Sequence, residues 1–250
     1  MTIALVTGAS RGLGKDMALS LAEAGTDVVL TYLGNEAMAE DVASEIRAKG
    51  RKAAVLRLNV ADSSSYPAFF EALKKTLEAE FGATQLDYLV NNAGVGIRTG
   101  FADTTEEQFD EMVNIHLKSA FFLTQRALPL LADGGGVVNV SSGLARFTFS
   151  GTDAYAIMKG GVEVLTRYQA KALGARGIRV NCLAPGAIET DFGGGSVRDN
   201  PEANKFVASQ TALGRAGRPD DIGSVVAFLC SDASKWINGQ RIEVSGGMCL

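Results

Sequence analysis

Apolar positions along the chain fall into two alternating rhythms. Short β-branched runs occur at IALVTG (3–8), DVVLTY (27–32), AAVLRLNV (53–60), LDYLVNNAG (86–94), GVVNVSS (136–142), IRVNCLAPG (178–186) and QRIEVSGG (240–247). Longer amphipathic stretches separate them, the pattern of strands buried on both faces of a parallel sheet and covered by helices. The helix over 13–24 stops at Gly25 and that over 35–49 at Gly50, with glycine as the C-terminal stop. A third runs over 63–81. Thr105 and Gln108 form a capping box at the head of a helix over 105–131, which contains Asn114. A helix over 153–175 follows, and Pro219 suits the first turn of the last, through Leu229. The acidic run TEEQFDE (105–111) reads as a solvated helix face. One stretch breaks the rhythm: AIETDFGGGSVRDNPEAN (187–204) has no apolar period and predicts a long loop behind a strand end, where ligands bind in open α/β sheets.

The chain has 250 residues, 46% of them hydrophobic, enough for one large α/β domain over 1–250 with a substantial core. The net charge of −4, without a basic stripe, argues against a nucleic-acid partner. No apolar run approaches a membrane span, and the N-terminal one is too short for a signal-peptide core, so the expectation is a cytoplasmic protein with no membrane partner. Three scattered cysteines form neither a disulfide framework nor a metal site; Cys182 and Cys230, in apolar runs, read as buried thiols.

TGASRGLG (7–14) joins the first strand to the first helix. There Gly8, Gly12 and Gly14 permit a tight turn, close approach of a pyrophosphate, and close helix–strand packing, while the helix N-terminus offers unpaired N–H groups. Dinucleotide binding follows. An acid at the end of the second strand would bond the ribose hydroxyls and select NAD. The sequence has Tyr32 there, with Glu36 the nearest acid downstream, and Arg11 can approach a 2′-phosphate. NADP(H) is therefore expected over NAD(H).

Tyr155 and Lys159 stand at i and i+4, one turn apart on one helix face. An ammonium beside a phenol stabilises phenolate, so the lysine is expected to lower the tyrosine pKa and make it a general acid for ketone reduction. Ser141 and Ser142 end an apolar strand, where a hydroxyl can reach a bound carbonyl oxygen. Asn114 sits in a helix interior, for which asparagine has poor propensity.

With these residues in view the chain resembles the short-chain dehydrogenase/reductase family along essentially its whole length. TGASRGLG matches the T-G-x-x-x-G-x-G loop, NNAG (91–94) the structural strand motif, and Tyr155-x-x-x-Lys159 the catalytic pair. Ser142 stands thirteen residues before Tyr155, the family spacing, which favours it over Ser141. Asn114 matches the fourth catalytic member. The resemblance implies a Rossmann-type doubly wound sheet of seven parallel strands, and hydride transfer between nicotinamide and a carbonyl carbon. By it, Tyr155 delivers the proton, Ser142 polarises the substrate oxygen, Lys159 bonds the nicotinamide ribose, and Asn114 helps hold a proton-relaying water. Ser10, Arg11 and Leu13 join the glycines around the phosphates. Tyr32, Asn59 and Val60 flank the adenosine, and Asn91, Ala93 and Gly94 line the cleft. Pro185, Gly186, Ile188 and Thr190 hold the carboxamide. Relatives are homotetramers or homodimers that pair long helices, here 105–131 and 153–175.

Within the family the general look is of 3-oxoacyl-carrier-protein reductases, through ASRGLG, LNV, APGAIETDF and SGGM. Those enzymes dock an acidic carrier protein with basic residues, partly at the end of the fifth helix. Here that stretch runs into LPLLADGGG, leaving Arg176 as one candidate docking cation. The expected substrate is therefore a small or medium free ketone, with carrier-bound 3-oxoacyl groups as the runner-up. A non-catalytic NADP sensor on the same fold is a third reading; such proteins tend to lose the tyrosine or the lysine, and both are present. His116, the only histidine, should point away from Asn114 and serve packing or an interface. Trp236 reads as a packing or interface residue, and Phe147, Phe149 and Phe192 as lining a substrate pocket.

Overall fold

The computed structural model describes all 250 residues. Seven strands are ordered β3-β2-β1-β4-β5-β6-β7 in one sheet, and every neighbouring pair is parallel. They are β1 (Ile3–Val6), β2 (Asp27–Tyr32), β3 (Ala53–Arg57), β4 (Leu86–Asn91), β5 (Leu131–Val140), β6 (Arg179–Pro185) and β7 (Arg241–Val244). The order reverses between β1 and β4, which opens a crevice at the carboxyl ends of those strands.

The helices are α1 (Gly12–Glu23), α2 (Glu36–Ala48), α3 (Tyr66–Thr76), α4 (Glu106–Met112), α5 (Ser119–Ala127), α6 (Asp153–Leu173), α7 (Ser196–Asp199), α8 (Pro201–Ser209) and α9 (Asp220–Leu229). They cover two separate cores, one on each sheet face. The first joins α1, α2 and α9 to residues such as Val6, Leu30 and Leu183. The second joins α3, α5 and the end of α6 to Leu5, Val29, Leu89 and Val137. Adjacent residues of one strand enter opposite cores, as the pleat requires, and β1 and β2 are buried along their whole lengths. No helix is long and apolar enough to cross a membrane.

Besides shifted ends, and a helix over 63–81 that is regular only over α3, the structure departs from the expected elements in three places. The predicted helix over 105–131 is α4 and α5 joined by a π-helical turn, Val113–Lys118, and it ends at Ala127. LADGGG belongs instead to the start of β5, whose pairing with β4 shifts register between Leu86 and Tyr88. Glycine makes that possible: a Cβ on Gly135 would collide with the Asp87 carbonyl oxygen. Segment 187–204 is not an irregular loop. It holds a short 3-10 turn (Phe192–Gly195), then α7 and the start of α8. Gly193, Gly194 and Gly195 all take left-handed conformations (φ 61°, 75° and 75°), a run that residues with a Cβ avoid.

Candidate active site

The glycine turn closes against the end of β4. Gly8 has φ +65°, and a Cβ on it would lie 2.9 Å from the Ala93 Cα. A Cβ on Gly14 would strike the Gly8 carbonyl oxygen and the Asn92 amide. At Gly12 the same atom would make only ordinary van der Waals contact, with Thr190 at 3.7 Å, so the backbone there is less crowded. Thr7 and Asn92, which sequence reasoning passed over, tie the turn down. The Thr7 hydroxyl accepts from the Asn92 and Ala93 N–H groups at 3.0 Å each, and Asn92 Nδ2 donates to the Thr7 and Gly8 carbonyls at 2.9 and 3.1 Å. Gly8 N–H donates to Thr31 Oγ1 at 3.1 Å. The available signals were the polar residue before the first glycine and the second asparagine of the NN pair. A cradle too tight for a Cβ at Gly8 and Gly14, opening at Gly12 on the N-terminus of α1, fits a pyrophosphate.

On the other wall of the crevice, the Pro185–Gly186 turn leads into Ile188 and Thr190. Gly186 N–H donates to the Val244 carbonyl, and the chain returns through a bridge between Ile188 and Gly217. Thr190 is buried and its hydroxyl accepts from Phe192 N–H at 3.2 Å. Asn59 is exposed and accepts from Ala61 N–H through its side chain, while the Val60 carbonyl accepts from the Tyr66 hydroxyl at 2.6 Å. Ser10 and Leu13 are half-buried in the glycine turn, and Gly94 is exposed beside His116.

Ser142, Tyr155 and Lys159 converge where β5 ends. Successive strand residues face opposite ways, and this decides between the serines. Ser141 is buried, its hydroxyl donating to the Lys159 carbonyl and to Glu163 at 3.2 and 2.8 Å. Ser142 faces the other way, close enough to the Tyr155 phenol to favour its ionisation. Lys159 is buried, its ammonium donating to the Val140 carbonyl at 2.7 Å and standing 5.5 Å from the Tyr155 ring centroid. Asn114 lies in the π-helical turn; its side chain accepts from Lys118 at 3.3 Å and makes no direct hydrogen bond to the other three.

The electrostatics differ from the expectation. Burial pushes the Tyr155 phenol upward, with only Ser142 opposing. Burial also lowers the Lys159 ammonium to about 8. The lysine lies over the ring face with a proton committed to Val140, so desolvation outweighs its effect on the phenol. Phe192 supplies part of that burial: its ring centroid is 5.6 Å from that of Tyr155. Phe147 and Phe149 meet at a tilt, ring centroids 5.4 Å apart, and Phe149 meets Phe206 edge-on at 5.7 Å. Those two pack against Val207, Ala216 and Met248, so of the three phenylalanines only Phe192 touches the tyrosine.

At the adenosine end, the Arg11 side chain is largely exposed and lies 3.7 Å from Asp191, which also pairs with Arg198. Tyr32 ends β2, and after burial its phenol is pushed upward chiefly by Glu36. The first residue of α2 thus brings a carboxylate to a strand end that has none in its own sequence.

His116 is buried as expected, but it serves the site more closely than packing alone suggests. Its Nε2 lies 2.8 Å from the Val95 carbonyl, and its ring meets Tyr155 edge-on, centroids 5.0 Å apart at 89°. Trp236 is 97% exposed, so it packs against nothing in its own chain. Arg176 is not a free docking cation. It pairs with Asp133 at 2.7 Å and donates to the Leu128 carbonyl at 2.9 Å, closing the end of α5. Cys182 and Cys230 are buried thiols, pushed by desolvation to about 11 and about 12.

The chain resembles known proteins along its whole length. A family model described as enoyl-(acyl carrier protein) reductase matches residues 8–249. The chain is 39% identical over 249 residues to the 3-oxoacyl-[acyl-carrier-protein] reductase FabG of Staphylococcus aureus, covering 99% of this chain and 98% of that one. Among solved structures, the promiscuous reductase LugOII, which catalyses keto-reduction in lugdunomycin biosynthesis, superposes with a TM-score of 0.94 at 39% identity, covering 100% and 98% of the two chains. The angucycline C-6 ketoreductase LanV, with bound NADP, gives 0.94 at 37% identity, covering 99% and 95%. The chain is an oxidoreductase acting between C=O and CH–OH groups and belongs to the short-chain dehydrogenase/reductase family.

Proposed function

We propose that the chain, acting over residues 1–250 as one dinucleotide-binding domain, is an NADPH-dependent reductase of small or medium free ketones. The observation that carries this reading is the convergence of Ser142, Tyr155 and Lys159 beside the strand-order reversal, with the glycine cradle on the opposite wall. NADPH supplies the hydride when bound. Gly8, Ser10, Gly12, Leu13 and Gly14 hold its phosphates, with Arg11 toward the 2′-phosphate. Tyr32, Asn59 and Val60 frame the adenosine, Asn91, Ala93 and Gly94 the cleft, and Pro185, Gly186, Ile188 and Thr190 the nicotinamide. Ser142 donates a hydrogen bond to the substrate carbonyl oxygen, and Tyr155 delivers its phenolic proton to that oxygen. Lys159 holds the ribose and steadies the phenolate that remains. Asn114 serves the proton supply from solvent.

Two further features support the finer reading. Phe192 presents an aromatic face beside Tyr155, suited to an apolar ketone body and to keeping water from the reaction. Arg176 is shared with Asp133 and the end of α5, so the one cation considered for carrier docking already faces a carboxylate, which supports a free ketone over a carrier-bound thioester. Phe109, Phe121 and Phe122 on α4 and α5, with Ile157, Val164 and Tyr168 on α6, are exposed, and they suit pairing of these helices in a homodimer or homotetramer. The test is a set of initial rates with NADPH and NADH over free ketones, β-keto esters and an acetoacetyl carrier protein, with Tyr155→Phe as control. A strong carrier preference would replace this reading with the 3-oxoacyl-carrier-protein one. Absence of NADPH oxidation with every carbonyl would favour a sensor.

A further inference from the structure

Behind the catalytic pair lies a small cavity of about 10 Å³, walled by His116, Asn91, Lys159, Thr7, Ser119, whose hydroxyl donates to the Ile115 carbonyl, and apolar neighbours such as Val140. That is the smallest volume that holds one water. Two buried polar atoms on its wall residues find no partner in the chain: Asn91 Oδ1 and His116 Nδ1. Their chemistry is fixed by the bonds around them. Asn91 Nδ2 donates to Thr124 Oγ1 and Asn139 Oδ1 at 2.9 and 2.8 Å, so the amide is oriented and its oxygen is the acceptor left over. His116 Nε2 faces a carbonyl, Val95 O, and must carry the proton. The ring is held neutral, its pKa lowered to about 2 by burial first and by Lys159 second. Nδ1 is then an acceptor too. Two acceptors cannot bond to each other, and leaving both bare is costly. A donor of two protons small enough for the space resolves both at once.

We propose that His116 and Asn91 hold one buried water against the Lys159 ammonium, making His116 a positioning residue for the Tyr155–Lys159 pair. The water gives its two protons to Asn91 Oδ1 and His116 Nδ1, which leaves its lone pairs for the ammonium. Lys159 has three N–H groups, and Val140 takes one. The titratable groups that bear on Lys159 are Tyr155 on its own helix, His116 from the π-helical turn, and Cys182 from β6, whose thiol stays neutral. The water thus replaces part of the solvation that burial removes from the ammonium, favouring the charged lysine that phenolate formation requires. His116 meanwhile ties the 94–95 backbone through Val95 and backs the Tyr155 ring.

The site rests on the cavity alone, and its catalytic consequence rests on the reductase reading above; the tests separate the two. Because His116 is the only histidine, a [¹⁵N]histidine NMR spectrum reads one ring, without coenzyme or ketone. The expected spectrum is the neutral Nε2–H tautomer from pH 5 to 9, with Nδ1 shifted as a hydrogen-bonded acceptor. A protonated Nδ1, or a bare one, overturns the water site. For the consequence, His116→Gln keeps a donor near Val95 and removes the Nδ1 acceptor, whereas His116→Asn keeps an acceptor at the Nδ1 position. In His116→Gln the pH limb for NADP⁺-dependent alcohol oxidation should move upward by about one pH unit, the size of one lost hydrogen bond to a charged group. KM for NADP⁺ should stay level and plateau turnover should hold within a few-fold, with the wild-type limb restored in His116→Asn. An unchanged limb in His116→Gln, or equal shifts in both variants, overturns the positioning role. Should either variant fail to fold, the wild-type spectrum still decides the site.

Discussion

Replacing Gly14 by alanine perturbs the point where the glycine turn, α1 and the end of β4 meet. The new methyl would be driven into the Gly8 carbonyl oxygen, would lie 2.5 Å from Asn92 Nδ2 and would crowd the Ala9 Cα at 2.9 Å. The Asn92 amide can swing aside, at the loss of its bonds to Thr7 and Gly8, but the Gly8 carbonyl moves only if the phosphate turn moves. Overpacking of this kind costs about 1–3 kcal/mol, and each lost hydrogen bond about 1 kcal/mol. Alanine in a helix returns about 0.5–1 kcal/mol. The net loss is about 2–4 kcal/mol, or a Tm lower by about 5–10 °C for a chain of this size. Gly160→Ala is the control, since a Cβ there meets nothing within 4 Å inside α6; it should gain about 0.5–1 kcal/mol. Thermal melts by circular dichroism and NADPH fluorescence titrations read both effects. If Gly14→Ala melts with the wild type and binds NADPH as well, the tight cradle is not what holds the phosphate turn.

Arg11→Ala should raise KM for NADPH far more than for NADH, and equal rises would remove the 2′-phosphate role. Glu36→Gln, by withdrawing the carboxylate behind Tyr32, should lower KM for NADPH and leave NADH nearly unchanged. Tyr155→Phe should abolish ketone reduction while NADPH still binds; retained turnover would overturn the proton-transfer assignment. The pH dependence of stability has a definite sign. His116 stays neutral in the folded chain down to about pH 2, whereas the unfolded chain protonates it below about pH 6.5. Its contribution is therefore level above pH 6.5 and falls as pH drops below that value. Relative to wild type, His116→Gln should gain about 2 kcal/mol between pH 7 and pH 5 in urea denaturation, from about 1.5 pH units at about 1.4 kcal/mol each. A gap that does not change with pH would show that the ring takes up its proton as readily in the folded state as in the unfolded one.

The alternation of strand and helix, the β2 boundaries, the capping box at Thr105 and the placing of glycines at the first βα turn were all determined by the sequence alone. Each rests on local physics: a residue's side-chain periodicity, its allowed φ, or a hydroxyl three residues from its partner. The choice of Ser142 over Ser141 could be made from spacing to Tyr155, and the pleat of β5 supplies its physical reason. Tertiary structure decided what depends on neighbours distant in the chain. LADGGG became a strand because Leu86 N–H, 44 residues earlier, donates to Leu130 and glycine tolerates the Asp87 carbonyl. Arg176 was tied at the surface to Asp133, 43 residues earlier, at the end of α5. Burial reversed the expected shift of Tyr155, since spacing states which charges are near but not how much water remains. His116 gained its place for the same reason. Two residues from Asn114 in sequence, it owes its contact with Tyr155 to the π-helical turn and the packing of α6, and its missing partner to a cavity that only the folded chain encloses.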